Sequence, residues 1–95
     1  MTMRLSDVER QAILGAIGDR DSMADVYLFG SRTDDGAKGG DIDLLVLSNK
    51  IDFMTRLDIL GDLHRQLGER KIDLVVEPDL SRPFTRVAMA EGVRL

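Results

Sequence analysis

The strongest constraint on the fold of this chain is a nearly continuous apolar run at residues 42 to 47, Ile-Asp-Leu-Leu-Val-Leu. A short run of this kind is typical of a central strand that is buried on both faces of a sheet. Such a strand requires strands beside it and helices that cover it. In a chain of 95 residues these elements must form one domain, residues 1–95, because so short a chain does not support two cores.

The pattern on either side of this run supplies the other elements. The predicted order is a helix at about 7–17, a strand at 25–29, a loop, the strand at 41–47, a helix at about 52–67, a strand at 71–77 and a helix at 83–91. The predicted core stripes of the first two helices are Val8, Ala12, Ile13, Ala16 and Ile17, and Phe53, Leu57, Leu60, Leu63 and Leu67. The sequence therefore predicts an α/β (α+β) domain, with helices packed on a small mixed three-stranded sheet.

Composition excludes several classes of function. The chain has no cysteine, so it forms neither disulfides nor thiolate zinc sites, and its net charge of −4 argues against non-specific binding to nucleic acid. No stretch approaches the roughly 20 apolar residues that cross a bilayer, and the first ten residues lack the apolar run of a signal peptide. We therefore expect a cytoplasmic protein without membrane contact.

Three aspartates are predicted to gather at one edge of the sheet. If the first two strands are antiparallel, and a helical crossover makes the third parallel to the second, then Asp41, Asp43 and Asp73 share that edge. Side chains alternate along a strand, so Asp41 and Asp43 point to the same side. Three carboxylates in one place repel one another unless a cation lies between them. Oxygen ligands without nearby His or Cys favour Mg²⁺, or Mn²⁺, over zinc.

The loop before these aspartates has features of a phosphate-binding segment. Gly30 has no Cβ and would let a phosphate approach the backbone closely, while the amide and hydroxyl of Ser31 are suitable donors. Arg32 and Lys38 supply positive charge in the same loop. Together with a magnesium site, this arrangement indicates phosphoryl transfer.

These residues resemble a known family. Leu28-Phe29-Gly30-Ser31-Arg32, a loop, and then Gly40 to Val46 (Gly-Asp-Ile-Asp-Leu-Leu-Val) are similar to the defining motif of the DNA polymerase β-like nucleotidyltransferase superfamily. The likeness is greatest to the minimal nucleotidyltransferases of bacteria and archaea, and it covers about residues 6–76. The chain departs from many members at Thr33-Asp34-Asp35 and at Gly40, which affects the expected nucleotide and acceptor preference rather than the chemistry.

The resemblance implies specific roles. Asp41 and Asp43 would bind two catalytic Mg²⁺ ions, Asp73 would activate the acceptor hydroxyl, and Gly30 and Ser31 would hold the terminal phosphates of ATP. The reaction expected is transfer of AMP from ATP with release of pyrophosphate. Minimal members often act as antitoxins that adenylylate a tyrosine of a small helical HEPN ribonuclease toxin. The resemblance therefore also implies a HEPN-type partner that forms a complex with this chain.

Three alternatives stay open at this point. The Gly-Ser and Asp-x-Asp segments could be a polar loop that caps a strand, since Asp and Gly are common at turns. The chain could be a non-catalytic antitoxin that blocks its partner by binding alone. It could also transfer nucleotides to small molecules such as aminoglycosides, although relatives that do so usually carry an additional domain.

Overall fold

The computed structural model describes residues 5–29, 42–68 and 71–95 of the chain. The helices are α1 (Asp7–Gly18), α2 (Phe53–Leu67) and α3 (Pro83–Glu91), and the strands are β1 (Asp25–Phe29), β2 (Ile42–Leu47), β3 (Ile72–Glu77) and β4 (Val93–Arg94). The strands form one sheet in the order β3-β2-β1-β4. The mixed α/β fold is therefore confirmed.

The strand directions match the prediction that brought the aspartates to one edge. β1 pairs with β2 in an antiparallel register, and β2 pairs with β3 in a parallel register. The α2 crossover makes β3 parallel to β2, as such connections normally do. The amino-terminal ends of β2 and β3 therefore lie beside the carboxy-terminal end of β1.

The predicted number of strands is wrong: the sheet has four strands among the described residues rather than three. The additional strand β4 pairs antiparallel with β1, Leu28 opposite Val93 and Tyr27 opposite Arg94. Gly92 permits this pairing, because a Cβ there would lie 2.8 Å from the carbonyl oxygen of Leu28 and 2.7 Å from that of Ala88. Two residues are too few to show a strand periodicity in the sequence.

The main core lies between one face of the sheet and the helices α1 and α2. Alternate strand residues supply the sheet side of this core, and they are listed here together: Val26, Leu28, Ile42, Leu44, Val46, Ile72 and Leu74. α1 begins at the predicted capping box, in which the amide of Glu9 donates to Oγ of Ser6 and the amide of Ser6 donates to a carboxylate oxygen of Glu9. α2 begins at Asp52, whose carboxylate accepts from the amide of Thr55 at 2.8 Å.

Part of the predicted core stripe of each helix is wrong. Val8 is 75% exposed, and Phe53 and Leu57 are also exposed. The fully buried residues of α2 are Ile59 and Leu63, so burial begins six residues after Phe53, the first residue of the predicted stripe. The first turn of α2 lies beyond the core, at the edge of the sheet, where Nε of Arg56 donates to the carbonyl oxygen of Leu74 in β3 at 2.7 Å.

The third helix covers the opposite face of the sheet. α3 connects β3 and β4, which lie at opposite edges, and it contacts β1 and β2 on the way. Thr85 and Ala88 of α3 are buried, as is Leu45, which alternation places on this second face. β2 is therefore covered on both faces, as its apolar sequence predicts.

None of the helices in the described part of the chain combines the length and the apolar character needed to span a membrane.

Candidate active site

Asp43 and Asp73 lie side by side on neighbouring strands. They are register partners in the parallel pair formed by β2 and β3, so their backbones are separated by about 4.8 Å, the usual spacing between strands. Both side chains point to the sheet face that α3 covers, since their neighbours Ile42 and Ile72 point into the main core. The structure thus brings together the two predicted site aspartates that it describes.

The two carboxylates differ in their exposure to solvent. Asp43 is partly buried in the strand that forms the centre of the predicted site, whereas Asp73 is exposed on β3, an edge strand of the sheet. Aspartate is unfavourable in strands, and two like charges opposite one another repel. The contact between the two carboxylates does not itself stabilise the sheet.

The remaining predicted site residues lie outside the described residues. They are Gly30, Ser31, Arg32, Lys38 and Asp41. Their positions in the sequence are nevertheless bounded by the described strands: Gly30 directly follows Phe29, the last residue of β1, and Asp41 directly precedes Ile42, the first residue of β2. Phe29 and Asp43 are themselves register partners, so the described residue that precedes Gly30 in the sequence lies beside the aspartate pair.

The donor chemistry of this edge suits a hard divalent cation. Among the described residues no group of three His, Cys, Asp or Glu side chains forms a metal cluster. Asp43 and Asp73 provide two oxygen donors, and Asp41 would be the third carboxylate of the predicted set. This set contains carboxylates but no imidazole or thiolate. It suits Mg²⁺, because each Mg²⁺ ion is usually bound by one or two protein carboxylates together with water and phosphate oxygens.

Asp21, in contrast, has a structural explanation. At the opposite end of the sheet, the buried carboxylate of Asp21 accepts a 2.6 Å hydrogen bond from Oγ of Ser48 and a 3.0 Å bond from the amide of Met23. These bonds, that of Ser48 first, lower the pKa of Asp21. The Ser48 hydroxyl also accepts from the amides of Lys50 and Ile51, so this network fixes the turn after β2.

Aromatic residues next to the aspartate pair did not stand out in the sequence. The ring of Phe29 lies on the same face as Asp43 and packs edge to face against Phe84 of α3, with 5.9 Å between the ring centroids. The sequence predicts only that Phe84 lies in a helix at 83–91. Its position near the site depends on how α3 crosses the sheet, which no local pattern records.

Comparison with known proteins identifies the family. Residues 11–95 match the family model described as polymerase beta, nucleotidyltransferase. Among curated proteins, none matches the chain. The matched region includes all four strands, the Gly-Ser segment and the three predicted site aspartates. This chain therefore belongs to the polymerase β-type nucleotidyltransferase family, and its function is that of a nucleotidyltransferase.

Proposed function

We propose that this protein transfers AMP from MgATP to a hydroxyl group of a partner protein. The hydroxyl oxygen attacks the α-phosphorus, the bond between the α-phosphorus and the bridging oxygen breaks, and pyrophosphate leaves with that oxygen. The hydroxyl proton passes to the carboxylate of Asp73. The observation that carries this proposal is the pairing of Asp43 with Asp73 at the edge of the sheet where the Gly30-Ser31 segment begins.

The proposed roles follow from position and chemistry. Asp41, Asp43 and Asp73 would hold magnesium, as two ions with manganese as a possible substitute, and the metal would neutralise charge on the phosphates. The proposed phosphate-binding residues are Gly30, Ser31, Arg32 and Lys38. The location of Phe29, in register with Asp43, supports this assignment, because the next residue along the chain is Gly30.

An acceptor on a separate molecule is supported by the exposure of Asp73. Its carboxylate lies on an edge strand and is open to solvent, so a hydroxyl group on a separate molecule has access to it. We propose a tyrosine of a helical HEPN-type toxin as the acceptor. The protein would then be a cytoplasmic antitoxin that forms at least a transient complex with its partner.

The position of the label distinguishes this reaction from other uses of ATP. Purified protein and partner are incubated with magnesium and ATP labelled at either the α- or the γ-phosphate. Label should reach the partner only from the α-position, and the γ-label should appear in pyrophosphate. Transfer of the γ-label, or no transfer with any of the four nucleoside triphosphates, would contradict the proposal.

A non-catalytic antitoxin is the main alternative, and a pair of variants separates it from the enzyme. Asp41→Asn combined with Asp43→Asn should abolish neutralisation of the partner if neutralisation requires transfer. Asp58→Asn removes an exposed carboxylate from α2 and serves as the matched charge control. Full neutralisation by the double variant would mean that binding alone is sufficient.

A further inference from the structure

We infer that Phe84 forms the wall of the nucleotide site on which the base stacks. The inference rests on the proposed function, because it assigns the nucleoside end of the same site. It concerns the sheet face shared by Asp43 and Phe29, which are register partners. Alternate residues of a strand share a face, and paired residues share it too, so the ring of Phe29 lies beside the carboxylate of Asp43.

Phe84 adds a second aromatic ring beside that of Phe29. Its ring packs on that of Phe29 at 5.9 Å between centroids and an angle of 79° between the planes. Contacts of this kind are favourable for aromatic pairs and fix the orientation of the rings. Phe84 is thus in contact with the aromatic residue that is the register partner of Asp43.

Phe84 remains half exposed although its helix is firmly packed. Its side chain is 48% exposed, whereas the next residue, Thr85, is completely buried and Ala88 is 3% exposed. The exposure of Phe84 is therefore not explained by loose packing of α3. One turn further along, Val87 is 54% exposed and extends the apolar surface beside the ring. A half-exposed aromatic ring held in this way is available for stacking.

The separation between Phe84 and the carboxylates suits a nucleotide. Asp43 and Phe29 lie on adjacent strands, and the ring of Phe84 contacts that of Phe29, so the Phe84 ring lies within roughly 15 Å of the backbone of Asp43. A nucleotide whose phosphates lie at Asp43 reaches its base over a distance within this limit. Asp43, Phe29 and Phe84 therefore lie close enough to contact one nucleotide.

Stacking predicts a specific pattern of binding. An aromatic ring stacks on every base, because every base has a π-face, and its loss typically weakens binding about five- to 150-fold. Phe84→Ala should therefore raise the Kd for ATP and for GTP by roughly tenfold each. Binding of inorganic tripolyphosphate with magnesium, which has no base, should be unchanged. Phe84→Leu keeps an apolar contact with Phe29 and should still lose most of the stacking.

A single introduced tryptophan reports the contact directly. The chain contains no tryptophan, so Phe84→Trp places the only indole of the protein at the proposed site. Its fluorescence should change in a saturable way with MgATP and remain unchanged with tripolyphosphate. Phe53→Trp is the matched control, since Phe53 is exposed on α2, which packs on the other face of the sheet.

The outcomes separate this inference from the proposed function. Equilibrium dialysis first establishes whether the wild-type protein binds MgATP, and its failure to do so would overturn both. If ATP binds, but Phe84→Trp gives no signal and Phe84→Leu binds ATP as tightly as the wild type, the stacking role is wrong and the proposed function stands. Unchanged ATP binding combined with weaker transfer to the partner would assign Phe84 to the acceptor and would also overturn the inference.

Discussion

Asp43 and Asp73 occupy the same level of two parallel strands, so that two carboxylates lie next to one another on one face of the sheet. Asp43 is partly buried on the inner strand β2, whereas Asp73 is exposed on the edge strand β3. This difference agrees with the roles that we propose, in which Asp43 would bind the metal and phosphates and Asp73 would receive the acceptor.

Asp73→Asn tests the role in proton transfer. The amide cannot accept the hydroxyl proton, and loss of a general base typically reduces the rate about 10²- to 10⁴-fold. We expect the rate of AMP transfer to fall by that amount, while the Kd for MgATP changes much less. Single-turnover transfer and equilibrium dialysis measure the two quantities. A rate within fivefold of the wild type would make Asp73 an ordinary solvated residue of an edge strand.

Thr85 carries a buried hydroxyl group that has no hydrogen-bond partner in the described part of the structure. A buried polar group without a partner is unfavourable, so its replacement by an isosteric methyl group costs little or is stabilising. Thr85→Val should therefore unfold at the same urea concentration as the wild type or a higher one. Thr85→Ser keeps the hydroxyl and loses a buried methyl group, and it should be less stable by about 1 kcal/mol. Lower stability of Thr85→Val than of Thr85→Ser would reveal a hydrogen bond of this hydroxyl.

Gly92 and Gly15 should respond in opposite ways to alanine. A Cβ at Gly92 would collide with the carbonyl oxygens of Leu28 and Ala88, so Gly92→Ala should displace β4 and destabilise the protein. A Cβ at Gly15, within α1, meets no atom within 4 Å, so Gly15→Ala should stabilise the protein by about 0.5–1 kcal/mol. Urea unfolding measures both, and equal effects would contradict the close approach at Gly92.

The Ser48 hydroxyl should control the response to acid. The hydrogen bonds to Asp21 lower the pKa of this carboxyl below its ordinary value of 3.8 in the folded protein. Asp21 therefore stabilises the fold above that value, and the stabilisation is lost as the pH falls through the lower folded pKa. In Ser48→Ala the pKa of Asp21 should rise towards the ordinary value.

The free energy of unfolding of Ser48→Ala should accordingly be lower at neutral pH and depend less on pH below about 4. Urea titrations between pH 2 and pH 7 measure this dependence. Ser22→Ala, which changes an exposed serine of the same turn region, is the control. An acid profile of Ser48→Ala that is parallel to that of the wild type would exclude the coupling.

The sequence predicted the parts of the structure that depend on local periodicity. The helical crossover predicted that the strands of Asp43 and Asp73 are parallel, which brings both residues to one edge of the sheet. The alternation of side chains along each strand predicted which face each aspartate occupies. Burial along the helices was predicted less well, because a stripe such as Phe53-Leu57 defines a side of α2 but not where the sheet beneath it ends. The β1–β4 pairing and the contact between Phe29 and Phe84 join residues distant in the chain, and they depend on tertiary packing alone.

Thermal melts of the wild type and Asp43→Asn, with and without MgATP, test the central claim most directly. The Tm of each protein without metal is the reference for its own response to MgATP, because Asp43→Asn changes the repulsion from Asp73 together with the other interactions of Asp43. Saturating MgATP should raise the Tm of the wild type by about 5–10 °C, since a ligand that binds only the folded state stabilises it. This shift should be largely lost in Asp43→Asn and retained in Asp58→Asn. If Asp43→Asn is clearly less stable without metal and still shows the full shift with MgATP, Asp43 is a structural residue and the site lies elsewhere.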